Sequence, residues 1–193
     1  PRMIQNLARN VQSFTSNVFL VTGERTVLVD PGNEFDVCTA VTDHVEGLDA
    51  VVLTHTHRDH VGNLDAVVGS FDVEVWGFDT DQAGVDHAVA DGDSLRLGDH
   101  EYRALHTPGH KDDHVCLYSA DAGVLFAGDL VFAGGSFGRT DLEEGDRDLL
   151  VDSIDCVLET VDDDLAEMHT GHGPSVTDQP YQDIELSWQA ARF

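Results

Sequence analysis

The chain of 193 residues has little positive charge. Ten Lys and Arg stand against 37 Asp and Glu, and Lys111 is its single lysine. Binding nucleic acid through its phosphates needs basic patches, so that class of partner is excluded. Apolar runs are short, Ala50-Val51-Val52-Leu53 being typical, and none is long enough for a membrane-spanning helix. No basic, apolar and small-residue opening marks a secretory leader, so the cytoplasm is the expected location. The first residue is Pro1 and not Met, so a trimmed start is expected. The three cysteines, Cys38, Cys116 and Cys156, are far apart, odd in number and form no C-x-x-C pair. That argues against a disulfide framework or a thiolate zinc site and fits a reducing compartment. Cys116 and Cys156 lie in apolar stretches and are expected in the core. No linker, low-complexity tract or fixed-period repeat is seen, and a single domain over 1–193 is expected.

What the chain has in excess is acid. The formal net charge is -27, while 41% hydrophobic residues give it a globular composition. At ordinary ionic strength such a surface repels itself and destabilises the compact state. Concentrated salt shortens the Debye length to roughly 3 Å at 1 M and removes most of that cost. A halophilic protein from a salt-rich cytoplasm is the simplest expectation.

Short strands and tight turns dominate the first half. Val18 to Val21 and Thr26 to Val29 flank Thr22-Gly23-Glu24-Arg25, a hairpin signature. Val37, Val41 and Val45 give helical spacing over about 36–45. Ala50 to Leu53 reads as a strand inside a sheet, Val61 to Val68 as a helix and Val73 to Trp76 as a strand. In the second half, Ser94 to Leu97, Tyr102 to His106, His114 to Tyr118, Val124 to Phe126 and Leu165 to His169 read as strands. Leu149 to Val161 is the strongest helix, with Leu149, Ile154, Val157, Leu158 and Val161 expected on one face. A short helix is expected over 179–193. Two sheets packed face to face, with helices outside, would bury both kinds of apolar face.

The most informative stretch is Thr54-His55-Thr56-His57-Arg58-Asp59-His60, at the end of an apolar strand. In extended chain His55 and His57 point to the same side, so two imidazoles can converge on one ion. Asp59 and His60 fall where the chain turns into a helix and can face a neighbouring position. Three later side chains stand at predicted strand ends: His110 after Thr107-Pro108-Gly109, Asp129 after Phe126-Ala127-Gly128, and His172 after Thr170-Gly171. A glycine before each gives the sharp turn that presents a side chain there. Imidazole and carboxylate donors suit Zn, Fe or Mn and give no soft-thiolate preference.

The H-x-H-x-D-H loop, with the later His, Asp and His in Gly-flanked turns, resembles the metallo-β-lactamase superfamily. The resemblance runs from the hairpin near Phe19 to His172. It implies an α+β, four-layer αββα sandwich with a metal site at one edge of the two sheets. It also implies that His55, His57 and His110 hold a first ion, that Asp59, His60 and His172 hold a second, and that Asp129 bridges them. Asp30 matches an acidic position that supports the site, and His114 a position outside the direct ligands. Two metals about 3.5–4 Å apart can lower the pKa of a shared water toward 7, and the resulting hydroxide is the expected nucleophile. Asp59 is expected to orient it as well as bind metal.

Asp129 stands where the best-known secreted β-lactamases have Cys. Gly134-Gly135-Ser136-Phe137-Gly138-Arg139-Thr140-Asp141 is similar to a segment of the glyoxalase II group and its persulfide dioxygenase relatives. This implies a cofactor of two divalent ions, with zinc the first choice and iron or manganese next, and a small-molecule thioester as substrate. Arg139 is a candidate partner for a substrate carboxylate; the alternative is a buried structural pair with Asp141. Only about twenty residues follow His172, so the chain resembles the shorter glyoxalase II-like members and not those with a C-terminal glutathione-gripping region. Two other readings compete: a one-iron persulfide dioxygenase using His55, His110 and Asp129, and a non-catalytic metal-binding module. Lys111 reads as a surface cation. His44, His87, His100, His106 and His169 are not expected to be ligands. Neither membrane nor nucleic acid is an expected partner, and no oligomeric state is read from the sequence.

Overall fold

The computed structural model describes residues 3–193; Pro1, on which the expectation of a trimmed start rests, lies outside them. The first sheet takes its strands in chain order: β1 (Ile4–Asn6), β2 (Phe19–Val21), β3 (Val27–Val29), β4 (Ala50–Val52), β5 (Val75–Gly77) and β6 (His87–Ala88). β2 and β3 form the expected hairpin, with Leu20 opposite Leu28. From β3 onward the pairing is parallel, and parallel strands need crossovers. Helix α1 (Val37–Thr42) joins β3 to β4. Two short helices, α2 (Arg58–Val61) and α3 (Leu64–Phe71), join β4 to β5. All residues of β2, β3 and β4 are buried, which is why these strands read as continuous apolar runs.

The second sheet is ordered β11-β10-β9-β8-β7, from β7 (Ser94–Leu97), β8 (His100–His106), β9 (Val115–Ser119), β10 (Val124–Gly128) and β11 (Glu167–Thr170). β8, β9 and β10 pair antiparallel; β10 and β11 are parallel, joined through helix α4 (Arg147–Thr160). Helix α5 (Pro180–Ala191) follows, with Pro180 in its first turn, where its missing N–H costs nothing.

The chain divides into two compact units. The first runs to Val89 and takes in Arg96–His100; the second comprises Ala90–Leu95 and Glu101–Phe193. Each has its own core, one around Leu20, Leu28, Val51 and Val75, the other around Leu105, Leu125, Leu150 and Ile154. Among the described residues no helix is long and apolar enough to cross a membrane.

The structure corrects several expectations. The core face of α4 is Leu150, Ser153, Ile154 and Val157, while Leu149 is 44% exposed. The helical stretch expected from Val61 begins at Arg58 and breaks near Gly62. Cys116 is buried as expected, but Cys156 is exposed, on the outer side of α4. All three thiols are free.

Candidate metal centre

The first group of donors grows out of β4. Beyond Val52 the chain bends at Thr54 and runs on to His57, whose extended backbone (φ -64°, ψ 147°) caps α2. The rings of His55 and His57 are 4.9 Å apart, edge to face, and those of His55 and His60 are 4.1 Å apart. His60 Nε2 lies 3.6 Å from Asp59 Oδ2. His55, Asp59 and His60 are buried, and His57 is half-buried.

Behind these donors stands Asp30, in a left-handed backbone conformation (φ +57°) at the end of β3. Its Oδ1 accepts from the Thr54 amide at 2.8 Å. Its Oδ2 accepts from the Thr54 hydroxyl at 2.6 Å and from His60 Nδ1 at 2.8 Å.

The second group sits at the strand ends of the other unit. His110 follows Gly109 (φ +137°), whose missing side chain makes room for the Leu150 backbone. Asp129 follows Gly128 (φ +51°), where the β10–β11 register shifts. Asp129 Oδ2 lies 3.3 Å from His110 Nε2 and 3.4 Å from His172 Nε2, and the His172 side chain is 41% exposed. At His172 the positive φ belongs to the following Gly173, not to the Gly171 expected to make the turn.

Two bonds fix the surroundings of this group. His110 Nδ1 donates to the Arg139 carbonyl at 2.8 Å. The Asp129 amide donates to His114 Nε2 at 3.0 Å, so the proton of that ring is on Nδ1, which donates to Thr107 Oγ1 at 2.8 Å. His114 thus holds the backbone of Asp129, and Thr107 orients His114.

These bonds test whether the residues fit a cation. A carbonyl or carboxylate only accepts, so His110 and His60 carry their ring protons on Nδ1 and turn an Nε2 lone pair outward. Each lone pair faces a carboxylate oxygen, Asp129 for His110 and Asp59 for His60. A cation set between such a lone pair and its carboxylate would be bound by both. Imidazoles held through Nδ1, with carboxylates beside Nε2, are the donor arrangement of a hard-to-borderline metal site.

The Arg139 side chain is exposed and forks onto Asp141 through Nε and Nη2, both at 2.7 Å, so the pair is not a buried one. The guanidinium holds the Asp141 carboxyl down at about 2. Lys111 is not a surface cation: its side chain is 6% exposed, and its ammonium lies 3.2 Å from Asp112, 3.5 Å from Asp113 and 3.7 Å from Glu144. Burial pushes this lysine down, but Asp113, Asp112 and Glu144 outweigh it and leave it above its ordinary value. Among the remaining histidines, His87 pairs with Glu74, His106 with the Asp112 carbonyl, and His169 with Ser175 and Glu167. Sequence reasoning missed the roles of Thr54 and Thr107. Thr54 stands inside the motif itself, yet no spacing rule marks its hydroxyl.

The profile of the family described as the metallo-beta-lactamase superfamily matches residues 12–172. A hydroxyacylglutathione hydrolase of Salmonella paratyphi B is 35% identical over 161 residues; these are 81% of this chain, which spans 62% of that relative's length. The crystal structure of TTHA1623 in a di-iron-bound form matches with a TM-score of 0.74 at 30% identity, over 93% of this chain and 94% of that one. ETHE1 from Myxococcus xanthus matches with a TM-score of 0.79 at 25% identity, over 99% and 90% of the two chains.

Proposed function

The chain belongs to the metallo-β-lactamase superfamily and has its fold, and from that premise we propose that it is a two-metal hydrolase of thioesters of small thiols, acting as one catalytic domain over 1–193. The observation that carries the reading is the 35% identity to a hydroxyacylglutathione hydrolase over 81% of the chain. His55, His57 and His110 would hold one ion, Asp59, His60 and His172 the other, with Asp129 between them. The support for this assignment is the family motif together with rings already held through Nδ1. Zinc is the proposed metal, with iron or manganese as substitutes; the di-iron form of TTHA1623 keeps iron among them. Two bound ions would supply Lewis acidity to a thioester carbonyl and lower the pKa of a water toward about 7.

The chain's own residues do the rest. Asp59, beside His60, is proposed to orient the attacking water through its carboxylate. Asp30 and the Arg139 carbonyl accept from Nδ1 of His60 and His110 and so fix the orientation of the two rings. The Arg139 guanidinium is proposed to meet a carboxylate on the substrate, with Asp141 as its partner when none is bound. The products are a carboxylic acid and a free thiol. The proposed working place is a salt-rich cytoplasm, a reading supported by the net charge of -27.

The deciding experiment uses the zinc-loaded full chain in concentrated KCl, with thiol release from a panel of small-thiol thioesters as readout. Turnover is expected, and His57→Ala and His172→Ala should each lower kcat at least about 100-fold, as loss of a metal ligand does. A chain that leaves every thioester intact would sink the proposal. The competing persulfide dioxygenase, drawn from the same Gly-Arg-Thr-Asp loop, is recognised by one iron per chain, oxygen uptake with a low-molecular-weight persulfide, and a much milder effect of His172→Ala.

A further inference from the structure

A single carboxylate oxygen serves two of the proposed metal-binding histidines. Asp30 Oδ2 accepts from His60 Nδ1 and also from the Thr54 hydroxyl. A hydroxyl has one proton, and here it lies on the bond to Asp30. Toward His55 Nδ1, 3.0 Å away, Thr54 Oγ1 can therefore only accept. The ring proton of His55 is thereby placed on Nδ1, and its Nε2 lone pair is turned outward like those of His60 and His110. The arrangement is closed to water: Thr54 is 1% exposed and Asp30 3%. It is also anchored, because the Thr54 amide is bonded to the other oxygen of the same carboxylate.

We propose that Thr54 is a positioning residue that fixes the ring of His55 as Asp30 fixes that of His60, so that one buried carboxylate sets a ligand of each ion. The proposal rests on the two-metal reading. Its consequence is an asymmetry. Removing the Thr54 hydroxyl takes the acceptor from His55 Nδ1 but leaves the bond between His60 and Asp30 in place. Removing the Asp30 charge loosens both rings.

The test is metal retention on the full chain loaded with zinc in concentrated KCl and challenged with graded chelator. Thr54→Val keeps the branched shape without the hydroxyl, Thr54→Ser keeps the hydroxyl, and Thr54→Ala replaces Val if packing suffers. Thr54→Val should release one of two zinc ions at roughly 10- to 100-fold lower chelator, the usual cost of losing such a partner, and hold the other within about threefold of wild type. Thr54→Ser should restore both, and Asp30→Asn should weaken both. In the NMR spectrum of the loaded protein, the His55 Nδ1–H signal should be protected from exchange in wild type and lost in Thr54→Val. Equal retention of both ions by Thr54→Val and wild type, or a Ser variant that fails to rescue, would overturn the relay. A wild-type chain holding fewer than two zinc ions would overturn the two-metal reading instead. The ring proton then decides the relay: loss in Thr54→Val supports it, and persistence overturns it.

Discussion

At the scale of single residues, surroundings decide chemistry more than residue type does. Cys116 is a thiol without reactivity, because burial pushes it up to about 12 and so leaves almost no thiolate at neutral pH. Cys156 lies exposed on α4 and Cys38 is half-buried. Native alkylation at pH 8 followed by peptide mapping should label Cys156 first, Cys38 more slowly, and Cys116 only after unfolding. Since burial both raises the Cys116 pKa and shields its sulfur, its labelling should follow unfolding and not the fraction of thiolate. Gly138 shows the same dependence on surroundings. A Cβ placed there would run into the Asp129 carbonyl and lie 3.2 Å from His110 Cβ. Gly138→Ala should therefore displace both proposed ligands and lower zinc retention at least about tenfold, comparable to loss of a supporting contact, as measured by chelator competition. The clustered donors were legible in the sequence because His55, His57, Asp59 and His60 crowd one strand end. His110, Asp129 and His172 became legible through the Gly-flanked turns they share. The bonds of Thr54 to His55, and of His114 to the Asp129 amide, were not: they depend on which atom of a ring meets which neighbour, and no spacing rule carries that.

At the scale of elements, the sequence pattern located strands that carry several apolar residues of their own and failed at two edge strands that do not. β2, β3 and β4 fall where short apolar runs put them, and β7, itself an edge strand with Leu95 and Leu97 buried, falls where it was expected. β1, with three half-buried residues, and β6, with two exposed ones, sit at the edges of the first sheet. Such strands exist because a neighbour offers a ladder, and their own composition does not announce them. Helix α4 departs from its expected face at one residue. Ile154, Val157 and Val161 are buried as expected and Leu158 packs against the core, but Leu149 is exposed and Leu150 takes its place, so that 150, 154 and 157 follow the i, i+4, i+7 spacing. Asp146 caps the helix by accepting from the Leu149 amide at 3.0 Å, which sets where the first turn begins. The two leucines should thus separate cleanly under denaturant. Leu150→Ala should cost about 2–5 kcal/mol, as for any buried leucine, and Leu149→Ala within about 0.5 kcal/mol. Urea midpoints of the two variants check this, and equal losses would mean the helix packs in the other phase.

The whole molecule is governed by its charge. Each cation has several acids to choose from, and the ion pairs show it: Arg96 meets Glu24 at 2.8 Å, Arg139 takes Asp141, and Lys111 is surrounded by three carboxylates. With 37 acids and ten Lys and Arg, most carboxylates have no cation to pair with, and their repulsion is stronger in the compact state than in the expanded unfolded chain. Screening should therefore stabilise this chain more than an ordinary one. Raising KCl from 0.1 M to 1 M shortens the Debye length from about 10 Å to about 3 Å. Relief of roughly 1–3 kcal/mol would raise Tm by about 2–12 °C for a domain of this size. Proton binding offers a second lever of the same sign. At low salt, lowering pH from 7 toward 5 protonates part of the acid excess and should raise Tm slightly. The Arg139–Asp141 pair works in the opposite direction at lower pH. Its carboxyl is depressed, so its contribution is complete above the ordinary Asp value and is lost as pH falls through about 2. A scan of Tm against KCl at pH 7 and at pH 5 tests the electrostatic account directly. The salt effect should be larger at pH 7, where more charge remains to be screened. A salt effect equal at both values, or matched by an uncharged osmolyte, would mean that the acid excess does not set the stability of this fold.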